Sequence, residues 1–135
     1  MKGNTVRRRR NASPAFLAVV ILFLTMATGC AGGITRAELL HQIESGSPPL
    51  IIDVRTRGEY EEGHVPGAIN ISIFDFRTRF EQLDPPKEKP LVVICEHGPR
   101  SSFAGFVLRI SGYRNVLELE GAMKEWKKSK LPIEK

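Results

Sequence analysis

Two short, almost continuously apolar runs constrain the fold of this chain most strongly. They are residues 50–54 (LIIDV) and 91–94 (LVVI), and both are rich in β-branched side chains. Runs of this length and composition are typical of parallel strands that are covered on both faces. Weaker runs of the same kind predict two further strands, at residues 68–71 and 116–119.

Segments with helical character separate these strands. Residues 35–38 (TRAE) have the spacing of a capping box and predict a helix that ends at Gly46. Further helices are predicted at residues 74–83, 100–110 and 122–128. Helical spacing places three aromatic residues toward the core, namely Trp126, Phe103 and Phe106. The alternation predicts one three-layer α/β domain, a parallel sheet with helices on both faces.

The excess positive charge of the chain lies in its first 29 residues. The net charge is +5, from 20 basic and 15 acidic residues, and residues 1–29 hold five basic residues and no acidic one. Residues 30–135 are therefore formally neutral, which argues against a nucleic-acid partner. After the basic start comes an apolar core of 12 residues, 16–27, shorter than the roughly 20 residues of a membrane-spanning helix.

This leader, residues 1–29, is similar to a bacterial lipoprotein signal segment with a lipobox at residues 27–30 (ATGC). The resemblance implies that Cys30 is lipidated and that residues 30–135 lie on the periplasmic side of a membrane. An uncleaved anchor or an ordinary cleaved signal would also export the domain. If Cys30 carries lipid, Cys95 has no partner in the chain; otherwise a disulfide between the two is possible.

Cys95 begins the loop CEHGPR, which joins a predicted strand to a predicted helix. Parallel sheets place their chemistry at this edge. The backbone N–H groups of such a loop and the helix N-terminus form an anion site, where the dipole and Arg100 favour a thiolate. Gly98 permits unusual backbone angles, Pro99 stiffens the approach to the helix, and Ser101 can donate to a bound anion.

Three blocks of the chain, in the right order, resemble a single rhodanese domain. They are C-x-x-G-x-R-S from Cys95 to Ser101, the upstream block IIDVRTRGEYEEGHVPGAINI and the downstream block VLELEGAMKEWKKSKLP. The resemblance covers residues 34–133 and implies a rhodanese-like fold with a mostly parallel five-stranded sheet. Ala122 and Lys130 stand where the family commonly has glycine. These differences from the family pattern concern local turns and not the loop that begins at Cys95.

What the resemblance implies is a sulfurtransferase. Cys95 would take a sulfane sulfur from a donor such as thiosulfate, become a persulfide, and pass the sulfur to cyanide or a thiol. No metal or organic cofactor is required, and a partner protein is a possible sulfur acceptor. The residues expected to bind the donor and hold the persulfide are five residues of the loop, Glu96, His97, Gly98, Pro99 and Arg100, together with Ser101, which follows it.

Loop length separates this activity from related chemistries. Four residues lie between Cys95 and Arg100, whereas the similar cell-cycle phosphatases and arsenate reductases have one more, which gives room for a tetrahedral oxyanion. A persulfide carrier or binding module without turnover is the main alternative. The simplest non-functional interpretation is a buried, inert thiol, the usual state of a cysteine after an apolar strand.

Several residues other than Cys95 are expected to have supporting roles. Asp53 and Arg55 are expected to pair or to brace the loops behind the active edge, with direct contact to the substrate as the alternative. Glu96 should point outward, because a carboxylate opposes a neighbouring thiolate. His97 is a candidate for proton transfer or for tuning substrate access. His64, in the turn GHVPG, is expected to bond backbone across that turn.

Overall fold

The structure is a computed structural model that describes residues 32–135. Its strands are β1 (Gly32–Ile34), β2 (Leu50–Asp53), β3 (Ile69–Asn70), β4 (Leu91–Ile94) and β5 (Val116–Leu119). They form one sheet in the order β1-β5-β4-β2-β3. All four neighbouring pairs are parallel. The prediction of a mostly parallel, five-stranded α/β fold is confirmed.

Five helices connect and cover the strands. They are α1 (Arg36–Glu44), α2 (Arg57–Glu61), α3 (Phe76–Leu83), α4 (Pro99–Ile110) and α5 (Ala122–Lys128). The first helix begins as predicted, with the Thr35 side chain accepting from the Glu38 N–H. It ends at Glu44, and Gly46 follows in the left-handed region at φ 75°, as helix-terminating glycines commonly do.

The core has two halves, one on each face of the sheet. On one face Ile52 and Val93 pack against α3 and α4, and on the other Ile51 and Val92 pack against α1 and α5. Because successive side chains of a strand point to opposite faces, an almost continuous apolar run fills both halves at once. The central strand β4 is buried along its whole length, which fixes the position of the residue that follows it.

Two local predictions were wrong and one helix was missed. Phe103 and Phe106 are 60% and 58% exposed, so they do not pack in the core, whereas Trp126 is fully buried as predicted. The buried side of α4 consists of small and aliphatic residues instead, including Ala104 and Leu108. The missed helix, α2, is five residues long and has a complete capping box at its start.

Two residues that stand where the rhodanese family commonly has glycine both have positive φ angles. Ala122 lies at φ 54° and Lys130 at φ 52°. A side chain in the left-handed region costs roughly 1–2 kcal/mol. The chain therefore keeps the turn geometry that glycine would favour, at a cost in strain.

Among residues 32–135, no helix combines the length and the apolar character that crossing a bilayer requires. The predicted signal segment and its Cys30 lie outside the described residues.

Candidate active site

Cys95 lies at the carboxyl edge of the sheet, directly after the central strand β4. The Val54 N–H donates to the Ile94 carbonyl at 2.8 Å, so the ends of β2 and β4 are held side by side. Asp53 and Arg55, at the end of β2, reach the same edge. The topology thus brings together the residues that the sequence analysis singled out from distant parts of the chain.

Cys95 is only 1% exposed and belongs to the apolar core on one face of the sheet, but its sulfur has two polar neighbours. The Gly98 N–H donates to the sulfur at 3.0 Å. The thiol lies 3.5 Å from the Ser101 hydroxyl, which itself donates to the Gly98 carbonyl at 2.7 Å. A buried, inert thiol would lie among apolar neighbours only; this sulfur has a backbone donor and a hydroxyl within reach.

The loop takes its shape from Gly98 and from the start of α4. Gly98 has φ 115° and is the N-cap residue, followed by Pro99 at the first helical position. A residue with a Cβ rarely adopts this angle, and proline is favoured at the first helical position because it needs no N–H partner. These two residues turn the chain so that a backbone N–H faces the sulfur.

The first turn of α5 fixes the other side of the loop. The Met123 N–H donates to the Cys95 carbonyl at 3.0 Å, and the Lys124 N–H donates to the Glu96 carbonyl at 3.1 Å. This contact could not be predicted from the sequence, since nothing in the local pattern says which carbonyls a helix start will meet. The loop backbone is therefore held between two helices.

Arg55 braces the loop from behind. Its side chain is fully buried and bonds the Asp53 carboxylate through Nε at 3.0 Å and Nη2 at 2.7 Å. It also donates to the Gly63 carbonyl at 2.8 Å and to Glu96 at 3.0 Å. Burial opposes the charged form, but the bonds to Asp53 and then Glu96 outweigh it and raise the pKa of Arg55.

Glu96 reaches two cations. Its carboxylate accepts from Arg55 at 3.0 Å and from Lys127 of α5 at 3.1 Å, and the side chain is 20% exposed. Partial burial opposes ionisation, yet the bonds from Lys127 and Arg55 prevail and lower the pKa of Glu96. A carboxylate so engaged is neutralised by its partners, so the negative charge next to Cys95 in sequence is compensated.

Arg100 is paired with Glu59, a residue that was not among the predicted site residues. Its two terminal nitrogens donate to the Glu59 carboxylate at 2.8 and 2.7 Å. Glu59 in turn closes the capping box of α2 through Thr56. The signal was available, since Thr56 and Glu59 have the same S/T-x-x-E spacing that identified the start of α1.

Two loop side chains point to solvent. His97 and Pro99 are exposed, whereas Ser101 is buried. His64 lies elsewhere: its backbone pairs with Glu134, its ring stacks on Tyr60, and its Nδ1 lies 3.0 Å from the Tyr60 carbonyl. The described residues contain no cluster of three or more potential metal ligands.

This arrangement can hold a nucleophilic sulfur. A thiolate at Cys95 would receive the Gly98 N–H and, after rotation of its O–H, the Ser101 hydroxyl. A second sulfur added to Cys95 would carry the negative charge, and the donors at the start of α4 are suited to stabilising it.

Known proteins share both the sequence pattern and the fold. The model of the rhodanese-like domain family matches residues 35–129. The chain is 33% identical over 100 residues to a sulfurtransferase of Allochromatium vinosum, covering 74% of this chain and 92% of that protein. It is 39% identical over 103 residues to an HTH-type transcriptional regulator of Mycobacterium tuberculosis, covering 75% and 44%.

A human single-domain sulfurtransferase has a similar structure, with a TM-score of 0.64 and 30% identity, covering 73% of this chain and 97% of that one. The chain spans less than half the length of the first three curated relatives it matches.

Proposed function

Because the chain belongs to the rhodanese-like domain family, we propose that it is a sulfurtransferase that works through a persulfide on Cys95. The observation that carries this proposal is the Gly98 N–H aimed at the Cys95 sulfur from 3.0 Å, at the start of a loop that opens into a helix. A backbone N–H at this position stabilises a negatively charged sulfur more than a neutral thiol, because hydrogen bonds to charged acceptors are stronger.

The reaction has two steps that balance without an external oxidant. The Cys95 thiolate attacks the outer sulfur of thiosulfate, the S–S bond breaks, and its electron pair leaves with sulfite. Cyanide or a thiolate then attacks the terminal sulfur of the persulfide and restores the Cys95 thiolate. Each step transfers one sulfur atom with six valence electrons, so no metal or redox cofactor takes part.

Turnover and covalent loading test this proposal together. The full chain, given thiosulfate and cyanide, should form thiocyanate, and thiosulfate alone should add the mass of one sulfur atom to Cys95. Cys95→Ser should lose both signals, whereas Cys30→Ser should keep them. A Cys95→Ser variant with full activity would refute the role of this thiol.

A persulfide carrier is the second candidate, favoured by the near-complete burial of Cys95. A sulfur held under the loop would be protected until a specific acceptor arrives. A carrier would load once with thiosulfate and form little thiocyanate, so single loading without turnover separates it from the enzyme.

We further propose that the domain is exported and anchored to a membrane by lipid on Cys30. The support is the basic leader, the short apolar core and the ATGC sequence at residues 27–30. The mass of the mature protein from a bacterial host tests this, because processing before Cys30 and an attached lipid change it in opposite directions.

A further inference from the structure

In the described part of the chain, three cations beside the Cys95 loop are each bound by a carboxylate. Arg55 is bound by Asp53, Lys127 by Glu96, and Arg100 by Glu59. Arg55 and Glu96 also bind each other, which links two of these pairs. The formal charge of the whole network is zero, so it offers no excess positive charge to attract an anion.

The Glu59 carboxylate occupies the fork of Arg100. Both terminal guanidinium nitrogens are used, at 2.8 and 2.7 Å, and one Glu59 oxygen also accepts from the Thr56 N–H at 2.9 Å and hydroxyl at 2.7 Å. The bond from Arg100 and those from Thr56 hold the pKa of Glu59 well below its ordinary value, against partial burial. The carboxylate is therefore charged at neutral pH.

This pair is partly exposed at the Cys95 loop. The two side chains are 31% and 32% exposed, and Arg100 belongs to the same loop as Cys95. The hydrogen bonds and charge of Glu59 raise the pKa of Arg100, against partial burial. A sulfur donor with anionic oxygens would have to displace Glu59 before it could bind the guanidinium group of Arg100. If Glu59 stays, its carboxylate compensates the charge of Arg100 and the sulfur donor gains little attraction.

We propose that Glu59 is a specificity-determining residue: by masking Arg100 it makes the Cys95 loop favour sulfane-sulfur donors of low charge over the dianion thiosulfate. This rests on the proposed sulfurtransferase function. Donor charge matters because an uncompensated dianion loses far more hydration on entering the loop than a monoanion does. Every sulfur donor meets the same backbone N–H groups of the loop. A difference in kcat/KM between two sulfur donors is therefore attributed to Arg100.

Two donors of matched chemistry isolate this effect. Thiosulfate carries two negative charges and releases sulfite, whereas the methanethiosulfonate anion carries one and releases methanesulfinate. In both, the Cys95 thiolate forms a bond to the outer sulfur while the S–S bond breaks with its electron pair on the leaving group. Wild type, Glu59→Gln and the control Glu61→Gln would be compared, since Glu61 loses the same charge on the same helix but pairs with the exposed Arg57.

Steady-state kinetics at about pH 8, where ordinary histidines are neutral, would use the full chain. We expect Glu59→Gln to raise kcat/KM roughly tenfold for thiosulfate and roughly threefold for methanethiosulfonate, because Coulomb energy scales with donor charge. The gain should come through KM and should disappear at high salt. Glu61→Gln should match wild type for both donors. The double variant Glu59→Gln/Arg100→Gln should lose the gain.

Wild type supplies a test that does not depend on variant folding: its kcat/KM for thiosulfate should change little between about 0.02 and 0.5 M salt. A steep decline of this kcat/KM with salt would overturn the inference. Equal losses of kcat/KM for both sulfur donors in Glu59→Gln would also overturn it, because they would show that Glu59 has only a structural role. Sulfur loading on Cys95 is followed by mass in parallel. If Cys95 takes up sulfur but Glu59→Gln does not change the preference between the two sulfur donors, the inference about Glu59 is overturned and the proposed function stands. If Cys95 takes up sulfur from neither donor, both the inference and the proposed function are overturned.

Discussion

Replacement of Asp53 by asparagine should destabilise the domain strongly, because it leaves a buried guanidinium without its main counter-charge. Asp53 and Arg55 are both 0% exposed. The Asp53 carboxylate accepts from the Arg55 backbone N–H at 3.0 Å and from two nitrogens of its side chain. An asparagine of the same shape removes the charge and turns an N–H₂ group toward those donors. Among residues 32–135, the only other anion bonded to Arg55 is Glu96, which is partly exposed.

Breaking one side of a buried ion pair costs about 3–5 kcal/mol. We therefore expect Asp53→Asn to lower the free energy of unfolding by that amount in urea titrations. A fall of at least about 10 °C in the melting temperature should accompany it. Sulfur loading on Cys95 should slow as well, since Arg55 also bonds the loop through Glu96.

The exposed pair of Arg57 and Glu61 supplies the matched control for Asp53→Asn. Glu61→Gln should change the free energy of unfolding by less than about 0.5 kcal/mol. The double variant Asp53→Leu/Arg55→Met should recover part of the loss, because it removes the unpaired charge. An Asp53→Asn loss below about 1 kcal/mol would refute the reasoning and show that water or a rearranged Glu96 compensates Arg55.

Three further predictions follow from backbone angles and carboxylate pairing. Gly98→Ala should cost about 1–2 kcal/mol in urea titrations and reduce sulfur loading, since φ is 115° there; an unchanged loading rate would show that the loop tolerates another geometry. Lys130→Gly should raise the free energy of unfolding by up to about 1 kcal/mol, because φ is 52° at Lys130, and a decrease would mean that the flexibility of glycine in the unfolded chain dominates. The lowered pKa values of Glu59 and Glu96 give stability that is present above the ordinary carboxyl range and is lost as pH falls through and below it. Urea midpoints should therefore decline toward about pH 3, and less steeply in Glu59→Gln; an equal decline in that variant would assign the acid sensitivity to other groups.

The layers of the fold and the approximate position of the loop could be predicted because they depend on patterns within short segments. The apolar runs around Ile52 and Val93 fill both faces of the sheet, and that requirement identifies central parallel strands without knowledge of their neighbours. The exposed positions of Phe103 and Phe106 could not be predicted in this way. Helical periodicity shows which residues share a face, but which face is buried depends on what packs against it.

The ion pairs of the candidate site were harder still to anticipate. Arg100 was expected to face a donor, yet its partner Glu59 lies on a five-residue helix that apolar periodicity cannot detect. The capping-box spacing of Thr56 and Glu59 marked that helix, but no sequence rule says that a capping glutamate will also bind an arginine from a distant loop. Such contacts depend on how two strand ends are placed next to each other.

The hydrogen bonds from the first turn of α5 to the carbonyls of Cys95 and Glu96 have a consequence for the order of events during synthesis. The loop receives those bonds only after residues 121–124 have left the ribosome, and β4 gains its β5 neighbour only after residues 116–119 have done so. Until then the carbonyls of Cys95 and Glu96 lack these two bonds, and one side of the loop is not yet held. Closure of the loop around the Cys95 thiol is therefore one of the last events in the folding of this domain.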